Sequence, residues 1–277
     1  MAARLPGDGI LSAPKGELPM ENALLIGLSR QTVLDRQLEI VANNIANIET
    51  TGYKADNAAF SQYLMSGARD NEFTGNDRRV SFVQDRASWI DLSPGAIQHT
   101  GDPFDVAIDG NGYFVVQTPR GQRYTRNGAL TITGTGQLVT SEGYQVLGNS
   151  GPITLQLTDH DVTISPTGII TVREGASTVD SPRGQLQLAS FDQPHRLQKD
   201  GGSTFLAPPD LTPQPAPQGT RVVQGAVEKS NVRAIVEMAR MIQITRSYAD
   251  IAAILQQEGD MRRSAQQQLA QTPSSSS

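Results

Sequence analysis

Apolar residues near the start of the chain recur at the spacing of an amphipathic helix. Between Met20 and Thr51 they follow one another at steps of four, three, four and three. This spacing places them on one face and is typical of a heptad seam. The sequence therefore predicts a helix over residues 20–52, with Gly52 as its stop. The predicted seam consists of Leu34, Leu38, Val41, Ile45 and Ile48.

The far end of the chain shows the same rhythm. From Asn231 to about Gln257, apolar and small residues again alternate at steps of four and three. Arg233, Glu237 and Arg240 mix charges of both signs at helical spacing, which predicts a solvated outer face. The sequence thus predicts a second helix within residues 225–268. Its stripe consists of Ala234, Met238, Met241, Thr245, Tyr248, Ala252 and Leu255.

The middle of the chain, residues 102–224, has the punctuation of β structure. Short runs rich in β-branched and aromatic residues are separated by Asp-Gly, Asn-Gly and similar turn pairs. This pattern predicts a central antiparallel all-β domain. The runs that predict strands are Val106–Ile108, Tyr113–Val116, Leu130–Ile132, Ile153–Leu157, Val162–Ile164, Ile169–Val172 and Leu186–Phe191.

These zones give an α+β fold class, with the N- and C-terminal helices expected to form a coiled-coil-like domain beside the β domain. Residues 53–101 have less pattern and are predicted to be an extended connector, with a possible strand at Val80–Val83. Residues 1–19 and 269–277 are expected to be a disordered extension and a disordered tail.

Composition narrows the possible functions. The 277 residues contain no Cys and three His, and the formal net charge is −5. Disulfides and thiolate metal sites are excluded, and an acidic chain without a basic cluster argues against nucleic-acid binding. We predict no catalytic residue, no metal and no cofactor. No apolar run reaches the roughly 18–20 residues that span a bilayer, so no membrane insertion is expected.

Candidate chemical motifs are weak. Asp102, Asp105 and Asp109 lack the alternating spacing and closing Glu of an EF-hand loop, so a hairpin turn is the favoured interpretation. Gly134 and Gly136 form a bare G-x-G without the partners of a phosphate loop.

The most unusual segment is Ala42–Lys54, which contains Asn43, Asn44 and Asn47. Three Asn residues so close together weaken a helix. They either form a poorly helical surface or make defined polar contacts that fix the register of packed helices.

This segment closely resembles the signature of the flagellar basal-body rod and hook protein family. That signature is an Ala-Asn-Asn-hydrophobic-Ala-Asn helix end followed by Thr-Thr-Gly-aromatic-Lys. Val106–Phe114 and Tyr124–Gly128 are similar to the central motifs of the family. The stretch from Ser230 through Tyr248 is similar to its closing helix. The motifs occur in the family order and span residues 20–268.

The resemblance implies a structural subunit of a rod that crosses the periplasm and transmits motor torque to the hook. It also implies packing of the terminal helices against other rod proteins and further copies, and passage through the flagellar type III export apparatus without a cleaved signal peptide. A proximal rod subunit is favoured, with a distal rod or hook subunit as the alternative. The expected assembly interface is the two predicted stripes together with Asn43, Asn44 and Asn47.

A rival from another class is an enzyme or a carbohydrate-binding module on the β domain, with the helices as a dimerisation clamp. A deep pocket lined by convergent polar groups is the observation that would favour it.

Overall fold

The structure is a computed structural model. It describes residues 20–66, 79–156, 158–175 and 179–271. The predicted extension at 1–19, the last residue of the predicted strand Ile153–Leu157, and residues 272–277 of the predicted tail lie outside the described residues.

Two helices, α1 (Met20–Ala46) and α2 (Ala234–Gln271), flank a stretch that is mostly β-sheet. The described residues form strands that are labelled here in chain order. They are β1 (Asp56–Ser66), β2 (Arg79–Ile90), β3 (Ile97–His99), β4 (Val106–Asp109), β5 (Tyr113–Thr118), β6 (Gly121–Thr125), β7 (Leu130–Ile132), β8 (Leu138–Thr140), β9 (Gln145–Gly148), β10 (Gly151–Pro152), β11 (Asp159–Ile164), β12 (Ile169–Glu174), β13 (Asp180–Gln185), β14 (Leu188–Ser190), β15 (Gln198–Lys199), β16 (Thr204–Leu206), β17 (Gln214–Pro215), β18 (Arg221–Gln224) and β19 (Ala226–Glu228).

The chain divides into two compact units, and each includes part of both helices. The larger unit holds residues 35–60 and 85–245. The smaller unit holds the described residues before 35, between 61 and 84, and after 245.

The largest sheet of the larger unit runs in the order β15-β16-β6-β5-β9-β8-β7, and its paired strands are antiparallel. Strand β5 contributes alternate residues to two hydrophobic cores. Phe114 and Val116 lie in one core, and Tyr113 and Val115 lie in the other. Burial on both faces explains why this strand is an almost continuous apolar run.

Smaller sheets complete the larger unit. Strands β11, β12 and β13 form an antiparallel three-stranded sheet, while β18 pairs with β4 and β19 pairs with β3. These last two pairings bring the segment before α2 back against the segment that follows β2. Within the stretch expected to be a connector, β1 and β2 form a two-stranded sheet.

The prediction of a coiled-coil-like domain formed by the N- and C-terminal helices is wrong. On α2 the predicted seam residues Met238 and Thr245 are exposed, while Glu237 and Ile244 lie on the buried side of the helix. In the smaller unit the helices meet at points: Gln31 Nε2 donates a hydrogen bond of 2.6 Å to the Tyr248 hydroxyl, and Leu255 lies against Gly27. Heptad spacing creates an apolar stripe but does not specify which surface covers it. The fold is mostly β, with two unequal helices.

Candidate functional site

The Asn-rich end of α1 is tied to the strand that follows it. Asn44 is fully buried, with 0% of its surface exposed. Its Nδ2 donates to the Asp56 carbonyl and its Oδ1 accepts from the Asp56 N–H, both at 2.9 Å. The amide therefore pairs with the backbone as a neighbouring strand would, which satisfies two buried backbone groups. The Tyr53 hydroxyl lies 3.3 Å from the same Oδ1.

Replacing Asn44 with Ala should lower the free energy of unfolding by about 2–4 kcal/mol, because two hydrogen bonds are lost and the Asp56 backbone is left unpaired. Asn43 is the matched control, because it is the same residue type one position earlier and is exposed. We expect Asn43→Ala to change stability much less. Urea unfolding followed by circular dichroism measures both variants, and equal losses would contradict the assignment.

A buried charge network follows directly in the sequence. The Lys54 ammonium lies 2.5 Å from Glu228 Oε1, and both side chains are 1% exposed. Arg126 approaches the other oxygen of Glu228, with an Nη1–Oε2 distance of 3.1 Å. Glu228 Oε1 also accepts from the Gly95 N–H at 2.9 Å. One buried carboxylate thus holds two cations.

The two cations find further acceptors on the backbone. Lys54 donates to the Ser93 carbonyl at 2.8 Å, and Arg126 donates to the carbonyls of Ile108 and Gly110. Burial lowers the pKa of Lys54, because the loss of hydration outweighs the attraction of Glu228. The network therefore depends on every partner being present.

A third connection joins Asn231, just before α2, to the backbone around the buried charge network. The Asn231 Oδ1 accepts from the Ala55 N–H at 2.8 Å, and its Nδ2 donates to the carbonyls of Asp91 and Ser93. We name Asn44, Lys54, Arg126, Glu228 and Asn231 the clamp. Within the larger unit, the clamp connects the end of α1, the residue that follows β6, strand β19 and the segment directly before α2.

The predicted assembly residues divide by exposure. On α1, Val41 and Asn44 are buried inside the chain, Asn43 is exposed, and the others are half-buried. On α2, Met238 and Thr245 are exposed, and the other predicted residues are half-buried. The half-buried residues are Leu34, Leu38 and Ile45 on α1, Asn47 and Ile48 in the turn that follows it, and Ala234, Met241, Tyr248, Ala252 and Leu255 on α2.

The buried side of α2 contains residues that the pattern assigned elsewhere. Glu237 was expected on the solvated face, but it is buried. Its Oε1 lies 3.0 Å from Arg240 Nη1. Ile244 is buried as well. The opposite face of α2 exposes Ile235, Met238 and Ile242, which are 85%, 52% and 55% exposed. We name these three residues the α2 stripe.

The charged members of the clamp were not predicted as site residues. Lys54 and Glu228 are 174 positions apart, so no local spacing connects them. The only sequence signal is that Lys54, Arg126 and Asn231 stand inside the motifs that carry the family resemblance.

Asp102, which was weighed as a cation ligand in the sequence, makes a local hydrogen bond in the structure. The Asp102 carboxylate accepts from the Phe104 N–H at 2.9 Å, as in a turn. The described residues contain no group of His, Asp and Glu arranged to hold a metal ion. Neither helix, over its described length, is apolar enough to cross a membrane.

Three family models match successive parts of the chain. They are described as flagella basal body rod protein (residues 24–54), flagellar hook protein FlgE/F/G D1 domain (107–172) and flagellar basal body rod FlgEFG protein C-terminal (223–268). Of the clamp residues, Asn44 and Lys54 lie in the first match and Arg126 lies in the second. Glu228 and Asn231 lie in the third.

Whole-length relatives agree with the family models. The flagellar basal-body rod protein FlgF of Caulobacter vibrioides is 36% identical over 251 residues, which are 90% of this chain and 98% of that protein. FlgF of Mesorhizobium japonicum is 32% identical over 86% of this chain and 93% of its own length. FlgG of Agrobacterium fabrum is 31% identical over 82% of this chain and 91% of its own length.

Proposed function

Because the chain belongs to the flagellar basal-body rod protein family, it is a structural protein of the flagellum, and we propose that it forms the proximal part of the rod. The resemblance to FlgF of Caulobacter vibrioides, at 36% identity, supports the proximal position over the distal one. The FlgG relatives, at about one-third identity or below, keep a distal position as the alternative.

The observation that carries this proposal is the α2 stripe. Three large apolar side chains on one helix face are exposed in the isolated chain, and Ile235 is 85% exposed. Burying such a side chain stabilises a complex by about 1.5–3 kcal/mol. A continuous apolar stripe on a structural subunit therefore favours burial against neighbouring subunits.

The geometry of assembly follows from the type of contact. The stripe would pack against a different surface of the next subunit, and contacts of this heterologous kind that do not close produce a helical array. We propose that the exposed and half-buried residues of the two predicted helix stripes take part, with the α2 stripe at the centre of the contact. The buried Val41 and Asn44 would support this surface from inside the subunit.

The partners of the chain would be other rod proteins and further copies of itself. We propose that the rod crosses the periplasm and that the chain reaches it through the flagellar type III export apparatus, without a cleaved signal peptide. The support is the family resemblance.

Replacing Ile242 with Asp should abolish swimming. The residue is half-exposed in the subunit, so the monomer should fold, but assembly would bury an unpaired charge at every copy. The measurement is the swimming-halo diameter on soft agar, with protein levels checked by immunoblot. Gln243→Asp is the matched control, because it places the same charge on the adjacent exposed residue.

Electron microscopy of basal bodies from a strain without the gene tests the position in the rod. A rod interrupted near the inner membrane is the expected result. An interruption at the distal end would assign the chain to the distal rod, and complete rods with normal swimming would overturn the proposed function.

A further inference from the structure

A polar groove lies beside the clamp in the larger unit. It has a volume of about 460 Å³ and runs between the second half of α1 and strand β15. Arg36, Glu39 and Asn43 line it from α1, Asn47 lines it from the turn that follows, and Lys199 lines it from β15. The Asn47 N–H still bonds the Asn43 carbonyl, so the spacing of three or four residues places these four side chains on one face.

A second cavity of about 270 Å³ adjoins the groove and shares Asp56, Ser88 and Lys199 with it. Trp89 lines this cavity and is 49% exposed. It is the single Trp of the chain. The Trp89 ring is half exposed to solvent beside the polar groove, so it is available to stack against a ligand.

The polar groups of the groove are held in place before any ligand arrives. Lys199 Nζ bonds Asp56 Oδ2 at 2.8 Å and lies 3.9 Å from the centre of the Tyr53 ring. The Asn47 Nδ2 donates to Asn43 Oδ1 at 2.7 Å. Fixed donors and acceptors of this kind lower the entropy cost of binding.

We propose that the groove binds an oligosaccharide, with one sugar ring stacked on Trp89 and the hydroxyl groups hydrogen-bonded by Asn43, Asn47 and the Lys199–Asp56 pair. A sugar ring combines an apolar C–H face with a polar rim, and the groove offers a matching arrangement. The lining favours this ligand over a protein anchor, because the centres of protein interfaces are poor in charged groups. The groove, at about 460 Å³, has the size of a typical ligand site.

The test is a titration of the full chain with the β-1,4-linked tetramer of N-acetylglucosamine and with cellotetraose. These probes share a linkage and differ in the acetamide groups. Saturable heat in calorimetry, together with a blue shift of the Trp89 fluorescence, is the expected result for at least one probe. No saturable signal from either probe at millimolar concentration overturns the proposal.

Variants locate the site. Trp89→Ala should weaken binding in calorimetry by about tenfold, which corresponds to the contribution of one aromatic contact. Trp89→Phe should recover part of the affinity, and Asn43→Ala should weaken binding with little change in folding. Ile235→Ala is the matched control, because it removes an exposed apolar residue outside the groove, and it should bind normally.

Two outcomes would refute the assignment. Unchanged binding in Trp89→Ala would place any sugar elsewhere. A Trp89 blue shift that depends on protein concentration and not on sugar would identify the groove as a contact between copies of the chain. A swimming defect of Ile242→Asp does not bear on these measurements, so the proposed function and this inference fail separately.

Discussion

Glu228→Gln should lower the free energy of unfolding by about 3–5 kcal/mol, because removing one partner of a buried ion pair leaves an uncompensated charge. The substitution keeps the size of the side chain but removes the negative charge that touches both Lys54 and Arg126. Both cations would remain buried. Urea denaturation followed by circular dichroism at neutral pH measures the loss.

Glu49→Gln is the matched control for this variant. Glu49 also pairs with a lysine of the closing segment, at 3.0 Å from Lys229, but its side chain is 83% exposed. Solvent screens such a pair, so we expect no measurable change in stability. A similar loss in both variants would show that the effect does not come from the buried network.

The pH dependence of the Glu228→Gln variant gives an independent check. Burial lowers the pKa of Lys54 in the folded chain, whereas the unfolded value is about 10.4. Between these two values the unfolded chain binds more protons, so stability rises with pH. Losing Glu228 removes an interaction that favours the charged lysine, which lowers the folded pKa further. The variant should therefore gain more stability than the parent between neutral pH and about pH 9.5.

A second variant tests the origin of the loss. Lys54→Met in the Glu228→Gln background removes one of the two unpaired cations, and the flexible thioether can fill the space. We expect the double variant to be more stable than Glu228→Gln alone. A further loss of stability would mean that Lys54 contributes mainly by its backbone contact with Ser93.

Local pattern was enough to place individual strands. The apolar run Tyr113–Val116 lies inside β5, and Leu130–Ile132 coincides with β7. These runs are short, bounded by turn residues and buried by their own sheet. A few consecutive residues are therefore enough to predict each strand. The end of α1 was less well predicted: the helix ends at Ala46 rather than Gly52, and just before this end the Asn44 side chain bonds the Asp56 backbone.

The environment of α2 could not be predicted in the same way. Periodicity showed that the helix has an apolar stripe, but it could not show that Glu237 and Ile244 are buried while Ile235 is exposed. The clamp holds Asn231, which lies just before the helix. The clamp in turn joins residues more than a hundred positions apart, and such pairings leave no spacing in a single sequence.

Gly52→Ala should lower the free energy of unfolding by more than about 3 kcal/mol. Gly52 has φ +68°, in the left-handed region, and its N–H donates to the Glu228 carbonyl at 2.7 Å. A Cβ added here would lie 2.4 Å from the backbone of Arg126 and Asn127. Backbone cannot rotate away as a side chain can, so the turn and β6 would have to separate.

Gly143→Ala isolates the conformational part of this effect. Gly143 has φ +84°, but a Cβ there would meet no atom within 4 Å. We expect it to lose about 1–2 kcal/mol, the cost of a left-handed residue alone. The excess loss in Gly52→Ala then measures the close approach between the end of the Thr-Thr-Gly motif and β6. Since that approach holds Lys54 opposite Glu228, the Gly52 variant should also lose swimming, while Gly143→Ala should swim normally. Equal losses of stability in the two variants would show that the close approach adds nothing to the clamp.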